Sequence, residues 1–513
     1  DGGKTWKKLT NGLPTVEMGR IGLAVSPADP NTVYAIIEAQ LGKGGVFRSQ
    51  DAGASWEKMG DYISTSPQYY NELVADPVNV DRVYSMDTFM MVTTDGGKSW
   101  SRVGEKNKHV DNHFLWIEPE NPRHIVAGCD GGVYESFDRG AKWGFKANMP
   151  ISQFYRVALD EALPFYNVYG GTQDNNTWGG PSRTIYEHGI ANQDWFVTVG
   201  GDGFFCAIDP TDPNISYSEA QHGELIRFDR RTGEQVDIQP QPAPGDDALK
   251  WNWDAPVIIS PHSHTRLYFA AQRLYKSDDR GDNWTPISPD LTRQIDRNQL
   301  KVAGKVWSVD AVAKNASTSF FGNIVALCES PKQAGLIYVG TDDGLIQVTA
   351  NDGLNWTRVS TFSPVPDMTY VADIEASHHD ADVVYAAFDG HKNADFKPWV
   401  MRSADRGKSW TNISGDLPER GTVYCLAEDP VDPNLLFAGT EFGVFFTKDG
   451  GRKWLQLKGG LPVIQVRDLA IQPRENDLVL GTFGRGFYVL DDYSPLRELG
   501  PERLNDTGFV LPV

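Results

Sequence analysis

The chain repeats one eight-residue pattern, Ser/Thr-x-Asp-x-Gly-x-x-Trp, along almost its whole length. Clear copies are Ser49–Trp56, Thr93–Trp100, Ser136–Trp143, Ser277–Trp284, Ser403–Trp410 and Thr447–Trp454, and Thr349–Trp356 carries Asn351 where the Asp belongs. Thr172–Trp178 and Arg227–Glu234 are weaker relatives. Asp51 and Asp95 are 44 residues apart, as are Asp405 and Asp449, and Asp95 and Asp138 are 43 apart. That period is close to the roughly 40–50 residues of one four-stranded propeller blade. The chemistry is that of a turn: the Asp carboxylate accepts backbone N–H groups, Gly supplies positive φ, and Trp packs beneath. A residue type repeated in this way does structural work, so these Asp residues are not catalytic candidates.

A second repeat lies between the turns. An apolar strand runs into Pro, a short polar turn follows, and a β-rich run ends in an aromatic and small residues. Examples are Ile21–Ala35, Leu73–Tyr84, Leu115–Ala127, Phe205–Tyr217, Val257–Phe269, Ile324–Tyr338, Ile374–Tyr385, Tyr424–Phe437 and Leu469–Leu480, with a diverged copy at Phe154–Tyr169. Short β-branched and aromatic runs punctuated by Pro, Gly and Asp, without helical periodicity, predict an all-β chain. Radial repetition is the usual way to manage so many strand edges, which favours a β-propeller over a sandwich.

Charge narrows the partners. Lys+Arg number 48 against 68 Asp+Glu, a net charge of −20. Such a chain repels phosphate backbones and anionic headgroups at long range, so nucleic acid is not expected as a partner. No apolar run approaches the roughly 18 residues of a membrane span, so no membrane insertion is expected. Cys129, Cys206, Cys328 and Cys425 lack the paired spacing of a metal site and read as small buried hydrophobes.

The eight-residue pattern is identified as the Asp-box, or BNR repeat, and places the chain among Asp-box propellers such as sialidases, two-propeller xyloglucan hydrolases and sortilin-type receptors. The stretches GRIGLAVSPADPNTVYAIIEA, DNHFLWIEPENP, WNWDAPVIISPHS, GTDDGLIQVT and GTFGRGFYVLDDYS more closely resemble a large bacterial family of BNR-repeat glycosyl hydrolase or sortilin N-terminal-domain type. The resemblance implies about four further blades upstream of Asp1, and a secreted or periplasmic location. With ten blades here, it implies two seven-bladed rings: residues 1–148 as the last three blades of one, 149–493 as a complete second ring, and 494–513 as a C-terminal extension. The alternative is a single ten-bladed ring of the sortilin type. The arginine triad of sialidases is absent.

In a propeller the innermost strands line a channel, and polar residues at their starts are site candidates. His109, Asp111 and His113 alternate, and on a strand would face one side. They are candidate ligands for a divalent metal or a substrate site, although about 13 Å of strand would have to bend around one ion. In the second ring the same logic selects Asp254, Asp373 and Asp468 as candidate catalytic carboxylates beside Asp111. Trp251, Trp253, Trp307, Tyr370, Arg420 and Arg485 are candidate ligand contacts. Aromatic faces stack on pyranose rings and paired carboxylates do acid/base work; Asp–Arg pairs around an axis can equally satisfy one another. The diverged Thr172–Gly180 stretch adds Gln173, Asp174 and Asn175 as contacts on a binding-face loop. The long insertion Asp290–Phe321, locally basic through Arg297, Lys301 and Lys305, is expected to cover a channel mouth or to form a docking surface.

Two readings follow. One is a glycan hydrolase with an inverting two-carboxylate mechanism and no resident cofactor. The other is a non-catalytic module that binds polysaccharide, oligosaccharide, peptide or protein. A third, metal-assisted hydrolysis, would rest on His109, Asp111 and His113.

Overall fold

The computed structural model describes residues 2–314, 320–500 and 510. The described residues form ten antiparallel meanders in which consecutive strands pair in chain order, plus one two-stranded hairpin, Lys301–Val302 with Lys305–Val306. Nine of the meanders have four strands, and the tenth, Val466–Leu490, has three. Helix is limited to short 3-10 turns. The fold is an all-β propeller fold. No helix among the described residues is long and apolar enough to cross a membrane.

The eight-residue pattern forms the turn between the third and fourth strands of its sheet. Ser49 Oγ accepts the Gly53 N–H at 2.8 Å, Asp51 Oδ1 accepts the Ser55 N–H at 2.8 Å, and Ser55 Oγ donates to Asp51 Oδ2 at 2.6 Å. These bonds hold the Asp51 carboxyl down at about 2. Asn351 does the same job with an amide oxygen, accepting the Asn355 N–H at 3.0 Å. The tryptophans act in two ways. Trp56, Trp100 and Trp410 donate to the glycine carbonyl of their own turn. Trp143, Trp284, Trp356 and Trp454 donate instead to a carbonyl of the preceding sheet: Gly104, Ile238, Ile287 and Ile413. A turn motif therefore also ties neighbouring sheets together.

The chain divides into two compact units. Unit 1 takes in the first three sheets, up to Met149, and a segment that begins at Asn298; unit 2 runs from Pro150 to Arg297 and resumes after that segment. The continuous division expected at 148/149 is thus interrupted. The insertion joins unit 1, where Lys305 pairs with Glu17 at 3.3 Å and Gln40 donates to the Asp310 carbonyl at 2.6 Å.

In unit 2 the first strands of the seven sheets are Arg156–Leu159, Gly203–Ile208, Val257–Ser260, Ile324–Glu329, Tyr370–Ala376, Val423–Glu428 and Val466–Gln472. They meet in that order, and the last meets the first. The closing joint is held by Val157 N–H on Asp468 Oδ2 at 2.9 Å, Phe154 N–H on the Thr482 carbonyl at 3.0 Å, Tyr166 Oη on Asp477 at 2.8 Å and Gln472 Nε2 on the Asp160 carbonyl at 2.9 Å. Because the fourth sheet of the chain closes on the tenth, the described residues do not form a single ring of ten.

Apolar side chains fill the spaces between successive sheets. Tyr338, Ile346, Val371, Ile374, Phe388 and Met401 form one such layer between the seventh and eighth sheets, all nearly inaccessible. Each fully buried side chain of this size contributes about 1.5–3 kcal/mol. Residues 494–500 pack onto the ninth sheet, and the rest of the expected 494–513 extension, apart from Val510, lies outside the described residues. Arg497 pairs with the buried Asp429 at 2.9 Å, and Leu499 and Tyr493 enter the core of the ninth sheet. All four cysteines are free thiols, with Cys206 and Cys425 buried.

Candidate functional site

Polar residues gather in each unit where first strands begin and where the hairpin between second and third strands returns to meet them.

In unit 1 the approach to the third sheet, Lys108 to Asp111, is irregular. The strand begins only at Asn112, and Asp111 sits at φ +61°. His109, Asp111 and His113 therefore do not line one strand face as expected. His109 turns its Nδ1 to the neighbouring Val110 carbonyl at 3.0 Å, and the three do not form a converging set of ligands among the described residues. What the bend does instead is pair two acids. Asp130, in the hairpin between the second and third strands, donates its N–H to the Asp111 carbonyl at 3.2 Å. Its carboxylate comes within 4.8 Å of that of Asp111. Tyr70 donates its hydroxyl to Asp111 Oδ1, and His113 Nε2 lies 3.0 Å from Asp130 Oδ1. The Tyr70 and His113 rings pack with centroids 5.3 Å apart. The Asp130 hydrogen bond raises the His113 pKa, so its imidazolium is favoured; burial, then Asp111, raises that of Tyr70. The result is a half-exposed carboxylate pair flanked by two donors.

A left-handed φ at a non-glycine residue is a local strain that tertiary structure must impose. Asp130 was not selected from the sequence. The signal was available in the register of the repeats: the same hairpin carries Asp87, Asp342, Asp389 and Glu441 in other sheets.

In unit 2 the corresponding end carries an aromatic rim. The Tyr155 ring packs 4.8 Å from Phe204 and 5.6 Å from Phe483, and its hydroxyl donates to Gln173 Oε1 at 2.5 Å. Trp253 lies 6.5 Å from Phe204 and edge-on to His222 at 4.9 Å. Gln173, Asp174 and Asn175 sit here, but not in a diverged turn of the repeat pattern. They lie between the second and third strands, Asn167–Gly171 and Thr177–Pro181, not between third and fourth. Asp174, at φ +59°, donates its N–H to Asp202 Oδ1 at 2.6 Å, and Asn175 Nδ2 bonds the Gln173 carbonyl at 2.8 Å. Tyr370, Arg420 and Arg485 lie at the same end, the two arginines exposed.

Deeper in the ring, Arg156 pairs with Asp254 at 2.8 Å and lies 4.3 Å over the Phe205 ring. Asp373 accepts the Leu426 N–H at 2.7 Å, and Asp468 accepts the Val157 and Leu469 N–H groups. Each carboxylate bridges to the first strand of an adjacent sheet, a stapling role. Burial, with Glu375 next, raises Asp373 to about 7; burial raises Asp468 to about 6.

Two expected contacts lie elsewhere. Trp251 is buried and stacked 4.5 Å from Phe269, a core residue of the sixth sheet. Trp307 belongs to the segment that packs with unit 1, its indole bonded to the Val302 carbonyl at 2.8 Å and Lys305 over its ring. Spacing alone could not separate a strand start in the ring from a hairpin inside an insertion.

No family model matches the chain. Among curated proteins it is 23% identical over 491 residues to an oligoxyloglucan-reducing end-specific xyloglucanase of Emericella nidulans, covering 84% of this chain and 59% of that one. It is 28% identical over 445 residues to a xyloglucanase of Hypocrea jecorina (80% and 49%), and 25% identical over 317 residues to xyloglucanase Xgh74A of Acetivibrio thermocellus (55% and 34%). The chain thus spans between a third and three fifths of these relatives' length. Among solved structures it aligns with a GH74 xyloglucanase from Xanthomonas campestris at 18% identity, TM-score 0.27, covering 94% of this chain and 81% of that one. It also aligns with an extracellular domain of a one-component system from B. thetaiotaomicron at 14% identity, TM-score 0.42, covering 93% and 65%.

Proposed function

We propose that the chain belongs to a secreted glycoside hydrolase acting on a polysaccharide of the xyloglucan type. Asp111 and Asp130 are its proton-handling carboxylates in unit 1, and the aromatic rim of unit 2 is a saccharide-binding surface. The observation that carries this reading is the Asp111–Asp130 pair. Two carboxylates stand together at a left-handed turn, one accepting a hydrogen bond from a hydroxyl and the other beside the His113 ring, in a partly buried position, an arrangement suited to proton transfer. The names of the similar curated proteins support the substrate class.

An inverting reaction places its acid and base roughly 6.5–9.5 Å apart. The nearest oxygens of Asp111 and Asp130 lie inside that distance. In an inverting reaction the pair therefore serves one side of the bond, and a further carboxylate serves the other. Asp373, Asp468 and Asp254 take structural roles in this reading, because each already holds backbone N–H groups or Arg156.

The test is release of reducing ends from xyloglucan, and from unrelated polysaccharides as comparison. Asp111→Asn and Asp130→Asn are measured against Asp373→Asn. Loss of release in the first two, with release kept in the third, supports the assignment; release by Asp111→Asn at the wild-type rate removes it. The aromatic rim favours a second reading, a platform that binds glycan without cutting it. Binding with no release by the wild-type protein would favour that reading.

A further inference from the structure

We propose that the strand-start end of unit 2 binds a glycan bearing carboxylates, a uronate-containing oligosaccharide, through Lys392, Arg420, Arg467 and Arg485. Arg156, Arg227, Arg280 and Arg497 of unit 2 pair with acids. Among the described residues, Lys392, Arg420, Arg467 and Arg485 make no ion pair; other cations of unit 2, such as Arg230 and Arg358, make none either, and what sets these four apart is that they lie together among aromatic rings.

They are contiguous, and three of them lie over aromatic rings. The Arg467 guanidinium is 4.3 Å from the centre of the Tyr424 ring and 5.5 Å from that of Phe483. Tyr424 stacks on His391 at 6.1 Å, His391 meets Phe396 edge-on at 5.0 Å, and Arg420 lies 5.2 Å over Phe396. Lys392 follows His391 and sits 5.1 Å from the Tyr370 ring centre. Arg485 occupies the hairpin that carries Phe483. Acids in this region hold other groups, although Lys392 also acts on Asp342. Asp389 lies 2.6 Å from His391 Nδ1 and Glu441 3.6 Å from its Nε2, while Asp342 accepts the Gly322 and Asn323 N–H groups.

Cations alternating with aromatic faces match a sugar chain that carries charge at intervals. Pyranose rings pack on the aromatics, and carboxylates take two-pronged bonds from arginine. The net charge of −20 opposes any polyanion at long range, so binding here has to come from the local cations, and an oligonucleotide serves as the comparison polyanion. The four cations belong to unit 2 and the Asp111–Asp130 pair to unit 1, and the test reads binding rather than turnover.

The experiment is calorimetric titration of the whole chain with a galacturonate oligosaccharide and with its carboxyl-reduced, neutral counterpart. The acidic sugar is expected to bind at least about tenfold more tightly, and to weaken severalfold as salt rises and screens the charges. Arg467→Gln, and separately the double variant of the exposed pair, Lys392→Gln with Arg420→Gln, should each lose about tenfold in affinity. Arg452→Gln, on a turn between third and fourth strands, should not. A thermal melt of each variant confirms that the fold is kept. The proposal is overturned by equal binding of the acidic and neutral sugars, by no binding of either, or by wild-type affinity in the exposed double variant. It is equally overturned by an oligonucleotide that binds as tightly as the uronate sugar.

Discussion

Arg156 donates from Nε and Nη2 to one and the same oxygen of Asp254, at 3.0 and 2.8 Å, and leaves the other oxygen of that carboxylate buried without a partner. Glu219, fully buried beside it, is in a similar position: one oxygen accepts the Ala255 N–H at 3.2 Å and the other has no partner. Burial, and then Asp254, push the Glu219 carboxyl well above the usual carboxylate range, which favours its neutral form. A single guanidinium thus organises an acid-rich ring interior.

Replacing Arg156 by Leu should cost about 3–5 kcal/mol of stability, since the carboxylate it leaves behind stays buried and uncompensated. Urea denaturation at neutral pH checks this. Arg156→Lys keeps the charge but loses the fork, and should fall between.

Glu219→Gln should be nearly silent at neutral pH, within about 1 kcal/mol, because the amide replaces a carboxyl whose neutral form burial favours. A large destabilisation would show that Glu219 is ionised in the fold.

Asp373, raised to about 7, and Asp468, raised to about 6, bind protons more readily folded than unfolded. Their contribution to stability is therefore full in acid, below the unfolded carboxyl range, and is lost as pH rises through 6 and 7. At about 1.4 kcal/mol per unit the effect reaches a few kcal/mol at most. Asp373→Asn should flatten the difference in unfolding free energy between pH 5 and pH 8, measured against wild type at about those two values.

Asp405 accepts bonds from Ser403, the Ser409 N–H and the Ser409 hydroxyl. Since Asn351 fills the same place elsewhere, Asp405→Asn should leave the melting temperature nearly unchanged, while Asp405→Ala should lower it. Comparable melts for both variants would mean the side-chain oxygen does nothing for the turn.

If Asp111 handles the proton, Tyr70→Phe should lower kcat on a xyloglucan substrate by about ten- to a hundredfold, the worth of one bond to a charged group. KM should change little, since the lost hydroxyl touches the acid and not the sugar. A rise in KM alone would place Tyr70 in substrate binding instead.

The repeat pattern made much of this fold legible. Each Asp–Gly–Trp turn marks a third-to-fourth strand connection, and each apolar run into Pro marks a first strand. Local sequence specifies such elements because turn chemistry is local. The site was less legible. His109, Asp111 and His113 alternate in the sequence, but a left-handed turn at Asp111 itself breaks the alternation that would put them on one strand face. Asp130 was overlooked because its neighbour in space is some twenty residues away in sequence. Trp251 and Trp253, two residues apart, seemed equivalent; packing sends one into the core against Phe269 and leaves the other at the rim. Such choices are made by tertiary contacts, which no spacing rule encodes.

Every other joint between adjacent sheets in unit 2 is crossed by the chain itself, if sometimes by a long route. The joint between Arg156–Leu159 and Val466–Gln472 is crossed by hydrogen bonds. The circle therefore has a clasp, and Asp468 is one of its hooks. A ligand or proton that draws Asp468 away from Val157 acts at the place where the ring can widen without stretching any covalent connection.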